Sequence, residues 1–243
     1  IALDSNHQEA YVGLASCLNN LGYFYQQQQQ FEKAIACYER VLSFTSHEIT
    51  KNKCAEAYND WGNTLKREPK VEQALTCYHR AIELNPNSAL FRFNLAVLYY
   101  DTGQIDKAVE VFYQSIACDP KFAPSHSNLA AIFRDRGQLA EAIKHCKKAI
   151  EATPTYPLAY NNLAVALKIQ GDIEQAIANY RKTLFYSPYL FATFSNLLFS
   201  LFYIPDYPLE AIFFEHCEWG TRVENGIEFT YIYHPNLNKA DKR

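Results

Sequence analysis

The chain has 243 residues, a formal net charge of −3, and both signs of charge spread along its length. Nucleic-acid binding wants a clustered basic face, so that class is set aside. Seven cysteines at irregular spacing, without a Cys-x-x-Cys pair, suit neither a disulfide framework nor a thiolate metal site. Cys37, Cys77 and Cys146 read instead as small buried side chains in a reducing compartment, cytoplasmic or nucleocytoplasmic.

Taken in order, residues 1–6 read as the last turn of a preceding helix, because they match residues 81–86 in pattern. With no Met anywhere, the chain reads as a piece of a longer array. A helix is predicted over 8–26. It carries one apolar spacing twice: Tyr11, Leu14, Ala15, Leu18, and then Leu18, Leu21, Gly22, Tyr25. The simplest account is a helix lengthened by one heptad, two turns or about 10 Å. The run Gln26–Gln30 sits at the following turn, either as a solvated turn or as a polar interaction tract. Phe31 to Leu42 forms the partner helix, with Ala34 and Tyr38 facing the first. Between Ser43 and Cys54 the chain is longer than the later spacing allows. Thr45, Ser46 and His47 are a loop, or the helix runs on.

From residue 55 the pattern becomes periodic. Pro86, Pro120, Pro154 and Pro188 are 34 apart, as are Gly103, Gly137 and Gly171. Ala74, Ala108, Ala142 and Ala176 keep the same step, and so do Trp61, Leu95, Leu129 and Leu163. Within one period, Leu95, Ala96 and Tyr99 share a helix face, Ala108 and Phe112 share the next, Gly103 separates the helices and Pro120 ends the second. This spacing matches the tetratricopeptide pattern of helix pairs. The predicted fold is all-α: a right-handed superhelical solenoid of antiparallel helix pairs. Its expected divisions are irregular units in 1–54, four regular repeats in 55–190, an apolar helix pair in 191–222 and an extended linker in 223–243. The repeat at 55–88 has Arg67-Glu68-Pro69-Lys70 in place of the turn glycine, and a proline there also stops a helix.

Residues 191–204 are almost wholly apolar but fall short of the roughly 20 needed to cross a membrane. So apolar a helix needs cover on more than one side. A capping pair would supply some. The aromatic crowding favours a further domain packed on 191–222.

In stacks of this kind the first helices line the concave face. Position 6 of the repeat, facing that groove, holds Asn94, Asn128, Asn162 and Asn196. The lengthened first helix has Asn20 there, and the repeat at 55–88 has Asp60 beside Asn59. An amide both donates and accepts, so a row of them can hold an extended peptide by its main chain. Asn is a mediocre helix former, so propensity does not explain the recurrence. The other use of such amides is to stitch neighbouring repeats together. Lys66, Arg67, Arg134 and Lys168 add positive charge around the row. Asp101 and Asp135, at matching positions, are candidate specificity residues. His126, His145, His216 and His234 share no local acid or nucleophile. No phosphate loop or nucleophile elbow occurs. No catalytic constellation, metal site or cofactor is expected.

Openings of the type Asn-Leu-Ala/Gly recur at 20–22, 94–96, 128–130 and 162–164. The stretch from Ser195 through Trp219 to Arg243 is apolar, then aromatic, then polar. Together these resemble the repeat arm and junction of O-GlcNAc-transferase-like and SPINDLY-like glycosyltransferases. The resemblance implies an arm that holds an acceptor protein in extended form for sugar transfer to Ser or Thr. By it, acceptor holding falls to Asn94, Asn128, Asn162, Asn196 and Asn20, with Asp60 interrupting the row. It also implies a catalytic region beyond Arg243, so this chain is not expected to be catalytic alone. The competing expectation is a stand-alone adaptor. The carboxylate-clamp form of adaptor is disfavoured, because 59, 124 and 128 are Asn, Pro and Asn where cations are needed.

Overall fold

The computed structural model describes residues 5–226, apart from Pro69. The described residues form twelve helices and no strand. They divide into two compact units, one up to Pro154 and one from Thr155.

The first unit holds four helix pairs: α1 (Ser5–Gln27) with α2 (Phe31–Leu42), α3 (Glu48–Arg67) with α4 (Val71–Leu84), α5 (Ala89–Asp101) with α6 (Ile105–Cys118), and α7 (Ala123–Asp135) with α8 (Leu139–Ala152). The second holds α9 (Pro157–Gln170), α10 (Ile173–Tyr186), α11 (Phe191–Leu201) and α12 (Leu209–Gly226). The all-α helix-pair fold read from the periodicity is the one observed.

The punctuation residues act as the sequence suggests. α4, α6, α8 and α10 each end two residues before Pro86, Pro120, Pro154 or Pro188. The residues just before those prolines, Asn85, Asp119, Thr153 and Ser187, have φ between −132° and −144°. A proline ring clashes with a helical predecessor, so the helix must stop there. Between paired helices, Gly103 and Gly171 take φ of 77° and 95°, where a side chain is strained. In the first pair that left-handed position is filled by Gln29, at φ 59°. The glutamine run thus closes α1 at Gln27 and turns over Gln28 and Gln29, and Gln26 within it is held by neighbours.

The extra length before residue 55 resolves into a short link over 43–47 and an early start of α3 at Glu48. Thr50, Cys54 and Ala57 of α3 are fully buried, at helical spacing. At the other end, α12 runs to Gly226, so 223–226 are helical where a linker was expected. The remainder of that expected linker, residues 1–4 and Pro69 lie outside the described residues.

The core is built from an alanine and, four residues on, an aromatic residue on each second helix from α2 to α10, with Cys146 in place of the aromatic in the fourth pair. Ala34, Ala74, Ala108, Ala142 and Ala176 are fully buried on the second helices. Four residues on, Tyr38, Tyr78, Phe112, Cys146 and Tyr180 are equally buried. Where the second helix brings Tyr38 or Tyr78, the first helix of the pair gives Gly22 or Gly62. A Cβ there would lie 2.7 Å or 2.8 Å from the ring. All the described cysteines are free. Cys77 and Cys146 are core residues as expected, whereas Cys37 is only half-buried. Burial pushes the Cys77 thiol up to about 11 and that of Cys146 up to about 12, so neither offers a thiolate at neutral pH.

In the second unit, Trp219 ties α12 down. Its ring stacks on Phe194 at 4.1 Å, and its indole N–H donates to the Pro188 carbonyl at 3.0 Å. Arg181 pairs with Glu215, which also accepts from the Tyr207 hydroxyl at 3.1 Å. Outside that seam, Phe199, Phe202, Tyr203, Phe213 and Phe214 are all more than half exposed.

Candidate functional site

The candidate site in the first unit is the row of polar side chains on α1, α3, α5 and α7. Its N-terminal half is a hydrogen-bonded chain. The Tyr38 hydroxyl donates to Gln26 Oε1 at 3.2 Å, and Gln26 Nε2 donates to Asp60 Oδ2 at 2.9 Å. Asn59 Nδ2 reaches Asp60 Oδ1 at 3.5 Å, and Asn94 Nδ2 donates to Asn59 Oδ1 at 2.7 Å. Every donor in this chain runs towards Asp60. A carboxylate accepts only, so it is the group that can end two converging donor chains. Asp60 therefore joins three repeats at the point where sequence reading saw a gap in the row.

Asn59 is 5% exposed and Asn94 is half-buried. The bond to Asn59 uses one Asn94 amide hydrogen, leaving the other hydrogen and the carbonyl oxygen. Asn128 donates to Pro124 O in its own helix at 3.0 Å and likewise keeps its carbonyl oxygen and second hydrogen. Asn20 is exposed. Its neighbour Asn19 makes the cross-repeat contact, donating to Thr50 Oγ1 at 2.9 Å.

Four of the charged candidates are paired with one another. Lys66 Nζ lies 2.6 Å from Asp101, linking α3 to α5. Asp135 is bound by the adjacent Arg134 at 2.7 Å. Arg67 is exposed at the end of α3.

In the second unit, Asn162 and Asn196 are half-buried on α9 and α11. Asn161, beside Asn162, accepts a cross-repeat bond at its Oδ1 from Thr193 at 2.8 Å. Lys168 sits over the Phe199 ring at 5.7 Å from its centroid.

Sequence reading missed one constellation. His126 on α7 and His145 on α8 are 2% and 4% exposed, with their Nδ1 atoms 3.0 Å apart. His126 Nε2 is 3.2 Å from the Pro120 carbonyl, and the Tyr113 hydroxyl is 3.4 Å from His145 Nε2. The Pro120 carbonyl can only accept, which fixes the hydrogen of neutral His126 on Nε2. His126 Nδ1 then accepts from His145 Nδ1–H, and His145 Nε2 accepts from Tyr113. One neutral arrangement satisfies every contact. Phe133 stacks on His145 at 5.5 Å. Burial lowers both imidazoles, that of His145 to about 4. Among the described residues no three His, Cys, Asp or Glu side chains converge on a metal position. No helix among them is long and apolar enough to cross a membrane.

Paired helices of fixed period, joined by polar contacts one repeat apart, define a helix-pair repeat protein. Tetratricopeptide-repeat family models match residues 15–44, 62–103, 89–122 and 122–184, together more than half of the chain. The chain belongs to the tetratricopeptide-repeat family. Among solved structures, PilF of Pseudomonas aeruginosa is similar with a TM-score of 0.63 at 13% identity, over 89% of this chain and 93% of that one. MamA from Desulfovibrio magneticus RS-1 gives 0.57 at 17%, over 72% and 97%. YrrB, described as a TPR protein with an unusual peptide-binding site, gives 0.54 at 16%, over 74% and 89%. At such identities the likeness is one of fold. No curated protein matches the chain.

Proposed function

We propose that the chain is a protein-interaction scaffold that holds an extended segment of a partner by its main chain. The observation that carries this is the state of Asn94 and Asn128. They occupy the same position of adjacent repeats, and each keeps a carbonyl oxygen and an amide hydrogen to offer. A main-chain N–H and C=O can meet both, largely regardless of side chains. The peptide-binding site named for YrrB, a protein of the same fold, supports the reading. Asn20 extends it as a further contact in the first unit, and Asn162 and Asn196 are the corresponding candidates within the second unit taken by itself. Asp60 serves by fixing Asn59 and Asn94. Lys66 with Asp101 and Arg134 with Asp135 border the peptide in the first unit, and Lys168 is the charged candidate beside the amides of the second.

Asn128 gives the cleaner test, because Asn94 also supports buried Asn59. With a peptide selected from a random-sequence library on the purified chain, Asn128→Ala is expected to weaken binding about tenfold, the loss of one to two hydrogen bonds. Thermal stability is expected to fall by no more than about 1 kcal/mol, since the half-buried amide gives up only its bond to the Pro124 carbonyl. A large fall in melting temperature with affinity intact would leave the amides as stitching alone.

A narrower reading makes this scaffold the acceptor-recognition arm of an O-linked glycosyltransferase. It rests on the resemblance over 195–243, and the exposed aromatic side chains of α11 and α12 favour it as a surface that a further domain would cover. An antibody raised to this segment should then detect an endogenous protein far above 28.0 kDa. A band near that mass would instead favour the stand-alone adaptor.

A further inference from the structure

The chain departs from its period most at its first two pairs, and a cleft lies there. α1 has 23 residues where α5 and α7 have 13, and α3 starts at Glu48, ahead of Ala55 where the periodic pattern begins. The added turns and the 43–47 link enclose a cleft of about 1040 Å³, within the first unit. Val12, Phe44 and Ile49 supply apolar wall, and Asn19, Asn20 and Lys53 supply polar groups.

Three observations say what the cleft suits. First, the added turns carry apolar side chains the core does not use: Val12 is 67% and Ile49 61% exposed. Turns that served only as spacers would be polar on that side. Secondly, Lys53 lines the cleft and no acid does. No ion pair to Lys53 exists among the described residues. Thirdly, Asn19 Oδ1 is buried and has no hydrogen-bond partner among the described residues, although Asn19 Nδ2 is spent on Thr50. A buried acceptor without a donor is costly, and a main-chain N–H brought into the cleft would satisfy it.

We propose that this cleft docks a peptide segment of a partner protein in which a bulky apolar residue adjoins Asp or Glu. The apolar side chain fills the space between Val12, Phe44 and Ile49. The carboxylate pairs with Lys53, and a peptide N–H of the segment meets Asn19. The site is separate from Asn94 and Asn128 and does not rest on their role.

The test uses the whole chain and an acetylated, amidated nonapeptide with Phe-Asp-Glu at its centre and Gly-Ser flanks. Binding is followed by fluorescence anisotropy. The peptide is expected to bind, and its Phe-Lys-Lys counterpart to bind at least tenfold more weakly. Lys53→Glu should reverse that preference, and Ile49→Asp should abolish it, leaving at most equal, weaker binding of the two peptides. The amide row holds main chain largely regardless of side chains and so acts equally on both peptides, which leaves the preference between them as the readout of this site alone. Reversal of preference is a gain that misfolding cannot produce. No binding at millimolar peptide, binding indifferent to Lys53→Glu, or binding only by a peptide with a free C-terminal carboxylate overturns the proposal. So does a dimer that Ile49→Asp dissociates, since the occupant would then be a second copy.

Discussion

Lowering the pH from 7 to 4 is expected to remove about 3 kcal/mol of stability through His145 alone, with His126 adding loss in the same direction. In the unfolded chain a histidine titrates near 6.5. In the folded chain His145 is held at about 4 by burial first, then by repulsion from a charged His126 and from Lys148. The unfolded state therefore takes up protons before the folded state does. Stability is complete above the unfolded value and falls as pH drops from about 6.5 towards about 4. Geometry points the same way. Protons on both facing Nδ1 atoms at 3.0 Å would set two donors against each other.

The measurement is urea unfolding at several pH values, with hydrogen exchange of α7 and α8 as a local readout. Repeat arrays can open unit by unit, so a local probe is needed beside the global one. His145→Phe keeps a ring against Phe133 but cannot titrate. It should be less stable at pH 7, because His126 Nδ1 loses its donor, and its curve should be flatter over the same window. Parallel curves for the two proteins would contradict the assignment.

The second large effect is expected at Tyr78. Its ring is fully buried and its hydroxyl donates to Asn63 Oδ1 at 2.8 Å. It lies in the core cluster that joins α3 to α7, with Leu65, Ala74, Leu95 and Phe112. Tyr78→Ala should cost about 3–5 kcal/mol, the range for truncating a buried aromatic. The facing Gly62 gives a sharper check. Alanine is the better helix former by up to about 1 kcal/mol. At Gly62, however, its methyl would lie 2.8 Å from a ring that cannot retreat, and overpacking costs roughly 1–3 kcal/mol. Gly62→Ala is therefore expected to destabilise the wild type. In a Tyr78→Leu background the same change should become neutral or stabilising. A double-mutant cycle in chemical unfolding reads the coupling. Additive effects would mean that the glycine is not there for the ring.

The repeat was legible because Pro, Gly and Ala each do one backbone or packing job per period. Proline at 86, 120, 154 and 188 ends a helix wherever it stands, so its spacing alone marks the pairs. The start of α3 was not legible from turn residues, since His47 makes no side-chain cap there. Thr50, Cys54 and Ala57 carried the signal, at i, i+4 and i+7, but Thr and Cys are weak markers of burial. At the candidate site the amide row was visible, whereas its partners were not. Asp60 looked like a break because the pattern asked for Asn. Gln26, one period away, was the clue that a carboxylate had a donor to meet. The histidine pair was hidden because residues 126 and 145 occupy positions that the repeat pattern leaves unspecified. Only the packing of α7 on α8 brings them together.

The central claim is that the amides of Asn94 and Asn128 hold a partner's main chain. The most direct measurement is the NMR spectrum of side-chain amides in the isotope-labelled chain, titrated with a selected peptide. The expected result is a saturable shift of the Asn94 and Asn128 side-chain signals, retained when the peptide's side chains are replaced by alanine. If those two signals stay fixed while others move, the peptide is held elsewhere and the amides serve only to join one repeat to the next.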